Sequence, residues 1–146
     1  MSYLLDTCVV SEPTKPRPAA RVVAWLQEAD PESLYISVLT FGELEKGIER
    51  LAESQRKRGY RLWLERVRGQ AAHRVLTVDD PIASEWGRML ARAEKKGSPL
   101  PVIDALLAAT AIVHGLTIVT RNDSDIARTG ASILDPWQRA LHGRGN

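Results

Sequence analysis

The sequence predicts an α/β fold, a single domain with a central, mostly parallel five-stranded sheet flanked by helices. Three observations predict it. Five short apolar runs recur along the 146 residues. Each is continuous rather than alternating, as expected of strands buried on both faces of a parallel sheet. Helical patterns separate them, so strands and helices take turns along the chain.

The first strand is predicted from Tyr3 to Asp6, and the stretch from Pro13 to Pro18, with three prolines, reads as a loop. Pro18 to Ala29 predicts a helix whose apolar members are Val22, Val23, Trp25, Leu26 and Ala29. The second strand is Leu34 to Val38. Thr40 then suits a helix cap, with Glu43 at the third helical position in a capping-box pattern, and Leu44, Ile48 and Leu51 form the inward stripe. Gln55 to Ala72 reads as a helical return interrupted by Gly59 and carrying Leu62, Trp63 and Val67. Arg74 to Val78 is the third strand. Pro81 starts a helix that runs to about Lys96 and stops at Gly97.

Pro101 to His114 is the best-defined helix, with a proline for its first turn and Gly115 for its C-terminal cap. Ala105, Leu106, Leu107, Ala108, Ala109, Ala111 and Ile112 make it apolar nearly all round, which predicts burial on all sides. Thr117 to Thr120 and Ala131 to Leu134 are the fourth and fifth strands, and Gly130 ends the short segment after Asp125. The domain is expected to span residues 1–141, with His142 to Asn146 a frayed tail.

Composition narrows the class. The chain is 44% hydrophobic and 26% charged, enough for one substantial core. No apolar run approaches the roughly 18 residues of a membrane span, and the start lacks the basic-then-apolar order of a signal peptide, so a cytoplasmic protein is expected. Cys8 is the sole cysteine, which excludes an internal disulfide and a thiolate zinc site within one chain. It reads as a small buried residue near Asp6.

The formal net charge is only +2, but it is unevenly placed. From Arg50 to Arg74 there are eight basic residues against two acids, Glu53 and Glu65. Arg56, Lys57, Arg58 and Arg61 are the candidate contacts to phosphates, set against the blander reading of a solvated helical face.

Acids stand at the edges of apolar runs in four places: Asp6, Glu43, Asp104, and Asp123 with Asp125. A carboxylate at a core border needs water or a partner. Several of them, spread through the chain, suggest a hard-cation site assembled by folding, and oxygen-only ligands point to Mg²⁺ or Mn²⁺. In an open α/β sheet the ligand crevice lies at the carboxyl ends of the strands. Asp6 ends the first strand, Glu43 follows the second, Asn122, Asp123 and Asp125 follow the fourth, and Asp104 joins from the preceding helix. Each acid has a local alternative. Glu43 can be a capping-box residue, Asp104 a helix-dipole partner and Asp125 a cap, while Asp6 has no evident local structural job.

Three blocks, YLLDTCVVSE, ISVLTFGELEKGI and PVIDALLAATAIVHGLTIVTRNDSDI, resemble the PIN-domain ribonucleases, specifically the VapC-type toxins of bacterial toxin–antitoxin pairs. The likeness covers nearly the whole length. It implies an endoribonuclease dependent on Mg²⁺ or Mn²⁺, inhibited by a cognate antitoxin, dimeric, and assembled with the antitoxin on operator DNA. It also implies roles residue by residue. Asp6, Glu43 and Asp104 match the first three acids, which hold the metal. The fourth acid is left open among Asn122, Asp123 and Asp125, because the family varies after its Thr-Arg pair, and Asp125 is carried as the catalytic candidate. Thr7, Ser37, Thr120 and Asn122 match small polar positions that support the acids. Cys8 departs from the common Asn, which touches a local hydrogen bond and no metal ligand.

The implied chemistry is in-line attack on a phosphodiester by a coordinated water, leaving a 5′-phosphate and a 3′-hydroxyl. Histidine-based cleavage fits poorly, since His73, His114 and His142 are scattered at element ends and in the tail. A haloacid-dehalogenase-type phosphotransferase would need an acid at position 8, where Cys8 stands, and a dinucleotide fold would need glycines after the first strand. The alternative from another class is a catalytically weak PIN domain that binds RNA or protein. The RNA target and the number of metal ions stay open.

Overall fold

The computed structural model describes residues 1–121 and 124–138. The expectations at Asn122 and Asp123, and for the tail from His142 to Asn146, lie outside them. Five strands, β1 (Tyr3–Leu5), β2 (Leu34–Ser37), β3 (Val75–Leu76), β4 (Thr117–Val119) and β5 (Ile133–Leu134), form one sheet in the order β3-β2-β1-β4-β5. Every pairing is parallel. All five expected strands are present, each trimmed by one to three residues.

The helices are α1 (Thr7–Ser11), α2 (Ala20–Glu28), α3 (Val38–Glu49), α4 (Gln55–Gln70), α5 (Asp80–Lys95), α6 (Val102–His114) and α7 (Ser124–Ala127). They cover both faces of the sheet. Adjacent strand residues point to opposite faces, and the core divides accordingly. Leu4 and Ile118 pack with Met89, Leu107 and Ile126 from α5, α6 and α7. Leu5, Ile36 and Val119 pack with Val9, Trp25, Phe41 and Leu64 from α1 to α4. Continuous apolar strands are the consequence of this double burial.

Three expectations need correction. The α3 cap is Ser37, whose Oγ accepts from the Leu39 N–H, and not Thr40. Thr40 is fully buried inside the helix, so Glu43 is the sixth helical residue and closes no capping box. Gly59 does not interrupt α4, which is continuous with Ser54 as its cap. The α6 helix is not buried all round. Ala105, Leu107, Ala108, Ala109 and Ala111 face the core, whereas Val102, Ile103, Ile112 and Val113 are exposed. Hydrophobicity on every side of a helix does not say what covers each side.

Local signals elsewhere act as expected. Gly115 ends α6 at φ 67°, a left-handed conformation that favours glycine, and the Leu116 N–H returns to the Ala111 carbonyl. The chain then enters β4 at once. Tight return after α6 makes the helix run back along the sheet, so its first turn faces the carboxyl ends of the strands.

Glu12 is buried in the turn Glu12–Thr14, with its side chain 5% exposed. Its Oε2 accepts the Ala19 N–H at 2.8 Å, and Lys15 Nζ lies 2.9 Å from Oε1. The Ala19 N–H holds this carboxyl below the ordinary range; burial opposes the shift, and Lys15 and Arg121 reinforce it. A depressed carboxyl contributes stability above its unfolded pKa and loses it as pH falls through the folded value. Glu12→Gln should therefore lower the neutral-pH melting temperature by about 4 °C, as a loss near 1 kcal/mol does in a domain of this size. Thermal melts across an acid series should also show a shallower acid-side decline in the variant.

Candidate functional site

The sheet reverses direction between β1 and β4. From β1 the chain steps outward to β2 and β3 through α1 to α4, and then returns to the other side of β1 through α5 and α6. Such a switch point splays the connections apart and leaves a crevice at the strands' carboxyl ends. Asp6 follows β1 and Thr120 follows β4, so both stand at that crevice.

Asp6 is half-buried and is the N-cap of α1. Its Oδ1 accepts the Thr7 N–H at 2.7 Å, and its Oδ2 accepts the Thr120 hydroxyl at 2.7 Å. The expectation that Asp6 lacks a local structural role therefore fails, because it starts a helix too short to be evident from periodicity. One oxygen does the capping; the other reaches across the switch point. Oδ1 keeps a further lone pair, while Oδ2 also meets the Cys8 thiol.

Thr7 connects the second acid. Its hydroxyl donates to Glu43 Oε1 at 2.5 Å, joining the first turn of α1 to α3. Glu43 is exposed, with Leu44 beside it turned into the core. Thr7 thus bridges Asp6 and Glu43, one through its N–H and one through its hydroxyl. Ser37 is buried and caps α3 rather than touching an acid, so its support for Glu43 runs through the helix.

Asp104 is half-buried in the first turn of α6, where the helix dipole favours an anion. Asp125 is the second residue of α7, and its Oδ1 accepts from Arg128 Nη2 at 2.8 Å. Arg128 Nη1 also donates to the carbonyl and hydroxyl of Ser98, both at 2.8 Å, and Nη2 to the Pro99 carbonyl at 3.3 Å. This clamp ties α7 to the loop before α6. It brings the Asp104 turn to the same edge of the sheet as Asp6.

The donor set is all oxygen, which suits a hard cation. Among the described residues, however, no three Asp, Glu, His or Cys side chains are close enough to form a metal-binding group. The acids share the carboxyl edge of the sheet without forming such a group. Asp6 and Glu43 are the linked pair, Asp104 approaches from the other face, and Asp125 is engaged by Arg128.

The four expected RNA contacts are engaged in different ways. Lys57 is buried at 4% exposure, with Nζ 2.8 Å from Glu53. Arg61 lies 2.7 Å from Glu49 and 3.9 Å from Glu45. Arg56 lies over the Tyr60 ring and borders a groove of about 360 Å³ with Thr7, Glu43, Lys15 and Trp63. Arg58 is exposed. The acids that engage this basic run come largely from α3, outside the stretch counted in the sequence. Arg128 was not anticipated as a site element, although its spacing of three from Asp125 on a helix is a readable signal.

The family model for the PIN domain matches residues 3–132. The chain belongs to the PIN-domain family. It is 35% identical to the toxin FitB of Neisseria gonorrhoeae over 135 residues, covering 92% of this chain and 97% of FitB. It is 33% identical to the VapC ribonuclease Y4jK of Sinorhizobium fredii, covering 94% and 99%. The solved structure of FitAB bound to an IR36 DNA fragment superimposes with a TM-score of 0.88 at 32% identity, covering 92% of this chain and 95% of that one. The single domain and five-stranded sheet are thus those of a PIN domain of the VapC type.

Within this PIN domain, Cys8 reports on Asp6. Its Sγ lies 3.9 Å from Asp6 Oδ2 and 3.7 Å from Thr120 Oγ1. Burial pushes the thiol above its ordinary value and the Asp6 charge adds to the rise, against opposing hydrogen bonds from Arg121, Thr120 and its own backbone. Cys8 should therefore react with a disulfide reagent more slowly at neutral pH than a free thiol does. In Asp6→Asn the pH midpoint of that reaction should move down, measured as rate against pH on the folded protein.

Proposed function

We propose that this chain is the toxin of a type II toxin–antitoxin module, an endoribonuclease restrained by a cognate antitoxin. The observation that carries the reading is the Asp6 carboxylate at the β1–β4 switch point, held by Thr7 and Thr120 and linked through Thr7 to Glu43. PIN-domain ribonucleases generally depend on a divalent metal. Mg²⁺ is the proposed cation and Mn²⁺ its substitute, with Asp6, Glu43 and Asp104 as the residues that hold it. When bound, the cation supplies charge neutralisation at a phosphate oxygen and acidifies a water.

The protein's own contribution is placement. The Thr120 hydroxyl and the Thr7 N–H fix the rotation of the Asp6 carboxylate at the crevice. Thr7 holds Glu43 on the α3 side, where the groove with Arg56, Tyr60 and Trp63 gives a path for a chain of nucleotides. Asp104 enters from the opposite face of the sheet on α6. Asp125 acts here chiefly through Arg128, as part of the clamp that sets the Asp104 turn. The antitoxin, and operator DNA bound through it, are proposed partners by likeness to FitB and FitAB.

Residues 1–141 are read as the whole catalytic unit, and the cytoplasm as its compartment. No helix among the described residues is long and apolar enough to cross a membrane. A homodimer is proposed through the exposed α6 residues Val102, Ile103, Ile112 and Val113. In light scattering, Val113→Glu with Ile112→Glu should shift the particle from the mass of two chains to that of one.

Purified protein should cut a structured RNA pool with Mg²⁺ or Mn²⁺, stop with EDTA, and leave 5′-phosphate ends. Asp6→Asn, Glu43→Gln and Asp104→Asn should each lower the rate by roughly 10²-fold or more. Thr7→Val should lower it about tenfold, through weaker cation binding. Folded protein without its antitoxin that cuts nothing on a broad pool would instead support the RNA- or protein-binding module.

A further inference from the structure

A second concave site lies on the α5–α6 side of the carboxyl edge. Its cavity, about 410 Å³, has Met89 and Leu100 in its floor and Arg92, Lys96 and Arg128 around it. These cations come from three segments: the last turn of α5, the residue that caps it, and the turn after α7. The Arg128 bonds to Ser98 and Pro99 fix the cavity against the loop that leads into the Asp104 turn. The same arginine holds Asp125 in α7, four to five residues past Thr120 in the chain. The cavity therefore borders the loop that leads into the Asp104 turn.

Its cations are not equally engaged. Arg128 is occupied by its clamp. Arg92 uses Nη2 on Glu85 at 3.0 Å, and Glu85 is shared with Arg88 at 3.2 Å, so one carboxylate serves two guanidinium groups. Lys96 makes no ion pair or side-chain hydrogen bond among the described residues. The cavity's lining thus holds three cations, Arg92, Lys96 and Arg128, and no acid, and among the described residues their ion pairs are to Glu85 and Asp125, which lie outside the lining. In the α4 run Lys57, Arg61, Arg68 and Arg74 are engaged by Glu53, Glu49, Glu45 and Glu32, while Arg50, Arg56, Arg58 and Arg66 have no ion pair among the described residues, and Arg56 borders the groove beside Glu43.

We propose that this cavity receives a phosphodiester of bound RNA flanking the cut, with Lys96 and Arg92 as its donors and Arg128 supplying field and shape. The inference rests on the ribonuclease reading and names where that substrate's backbone is held. Cations at the end of α5 also complement its dipole. That role alone needs neither a concave site nor any coupling to RNA.

The test uses the full chain carrying Asp6→Asn, since Asn is as good a helix cap as Asp. Binding of a short fluorescein-labelled single-stranded RNA is followed by anisotropy in EDTA across a salt series. Adding Lys96→Gln with Arg92→Gln should weaken binding about tenfold or more and flatten the slope of log K against log salt by about 0.7, the value for one neutralised phosphate lost. Arg66→Gln, on the exposed side of α4, should keep the slope. In otherwise unmodified protein, Lys96→Gln should raise KM for RNA cleavage with kcat unchanged. An unchanged slope and affinity in the double variant overturn the proposal, as does a loss confined to antitoxin binding, which would make the cavity a protein contact. Failure of the ribonuclease reading shows separately, as no cleavage by the unmodified chain. An Asp6→Asn protein without salt-dependent RNA binding, beside an unmodified chain that cleaves, overturns the cavity proposal alone.

Discussion

A carboxylate where a buried strand ends has to be hydrogen-bonded in place, and the rest of the fold is arranged around how Asp6 meets that requirement. Its N–H continues the sheet by donating to the Val119 carbonyl, and its own carbonyl accepts from Val9 and Val10 as α1 begins. Its side chain then binds backwards to Thr120 and forwards to Thr7. One residue thereby stops β1, starts α1 and crosslinks β1 to β4. The price is that both oxygens are held at fixed angles, so any ligand must approach along the lone pairs that remain. Fixing the acid before a ligand arrives is the useful consequence, because its orientation need not be ordered later.

Charge in this chain divides by neighbours in space rather than in sequence. The run from Arg50 to Arg74 is the most basic stretch, yet Glu45 and Glu49 on α3 stand against Arg61 and Arg68 across the helix pair. Exposed pairs of this kind contribute little stability individually. Lys57 is the exception, being buried with both Glu53 and the Glu49 carbonyl as partners. The cations that line the α5–α6 cavity are less conspicuous in the sequence because Glu85 and Glu94 are interspersed with them. A polyanion senses the net field of a surface, so paired cations attract it less than unpaired ones do.

The strands were legible because burial on both faces makes them continuous apolar runs, and their order followed from alternation with helices. Helix ends were less legible. Thr40 satisfied the capping-box spacing, but Ser37 already stood at the true strand end, where the backbone is extended as a cap requires. The five residues of α1 are too few to show a period, so the structural half of Asp6's role was hidden. Asp6, Glu43 and Asp104 were readable as candidates because acids beside apolar runs are conspicuous. The linkage through Thr7 was not, since residues 7 and 43 meet only once α1 and α3 pack.

The two faces of the sheet contribute unlike parts to the edge they share. The α1–α4 face brings Asp6, Thr7 and Glu43 as a hydrogen-bonded set next to an open groove. The α5–α7 face brings Asp104 on a turn whose approach is fixed by four Arg128 contacts to Ser98, Pro99 and Asp125. Thr120 is the contact between them, one residue past β4 and bonded to Asp6. Moving Asp104 toward Asp6 therefore loads the Arg128 clamp on one side and the Thr120 bond on the other. An acid held by two faces in this way is adjusted by rotating its side chain, because the packed cores behind it resist any shift of backbone.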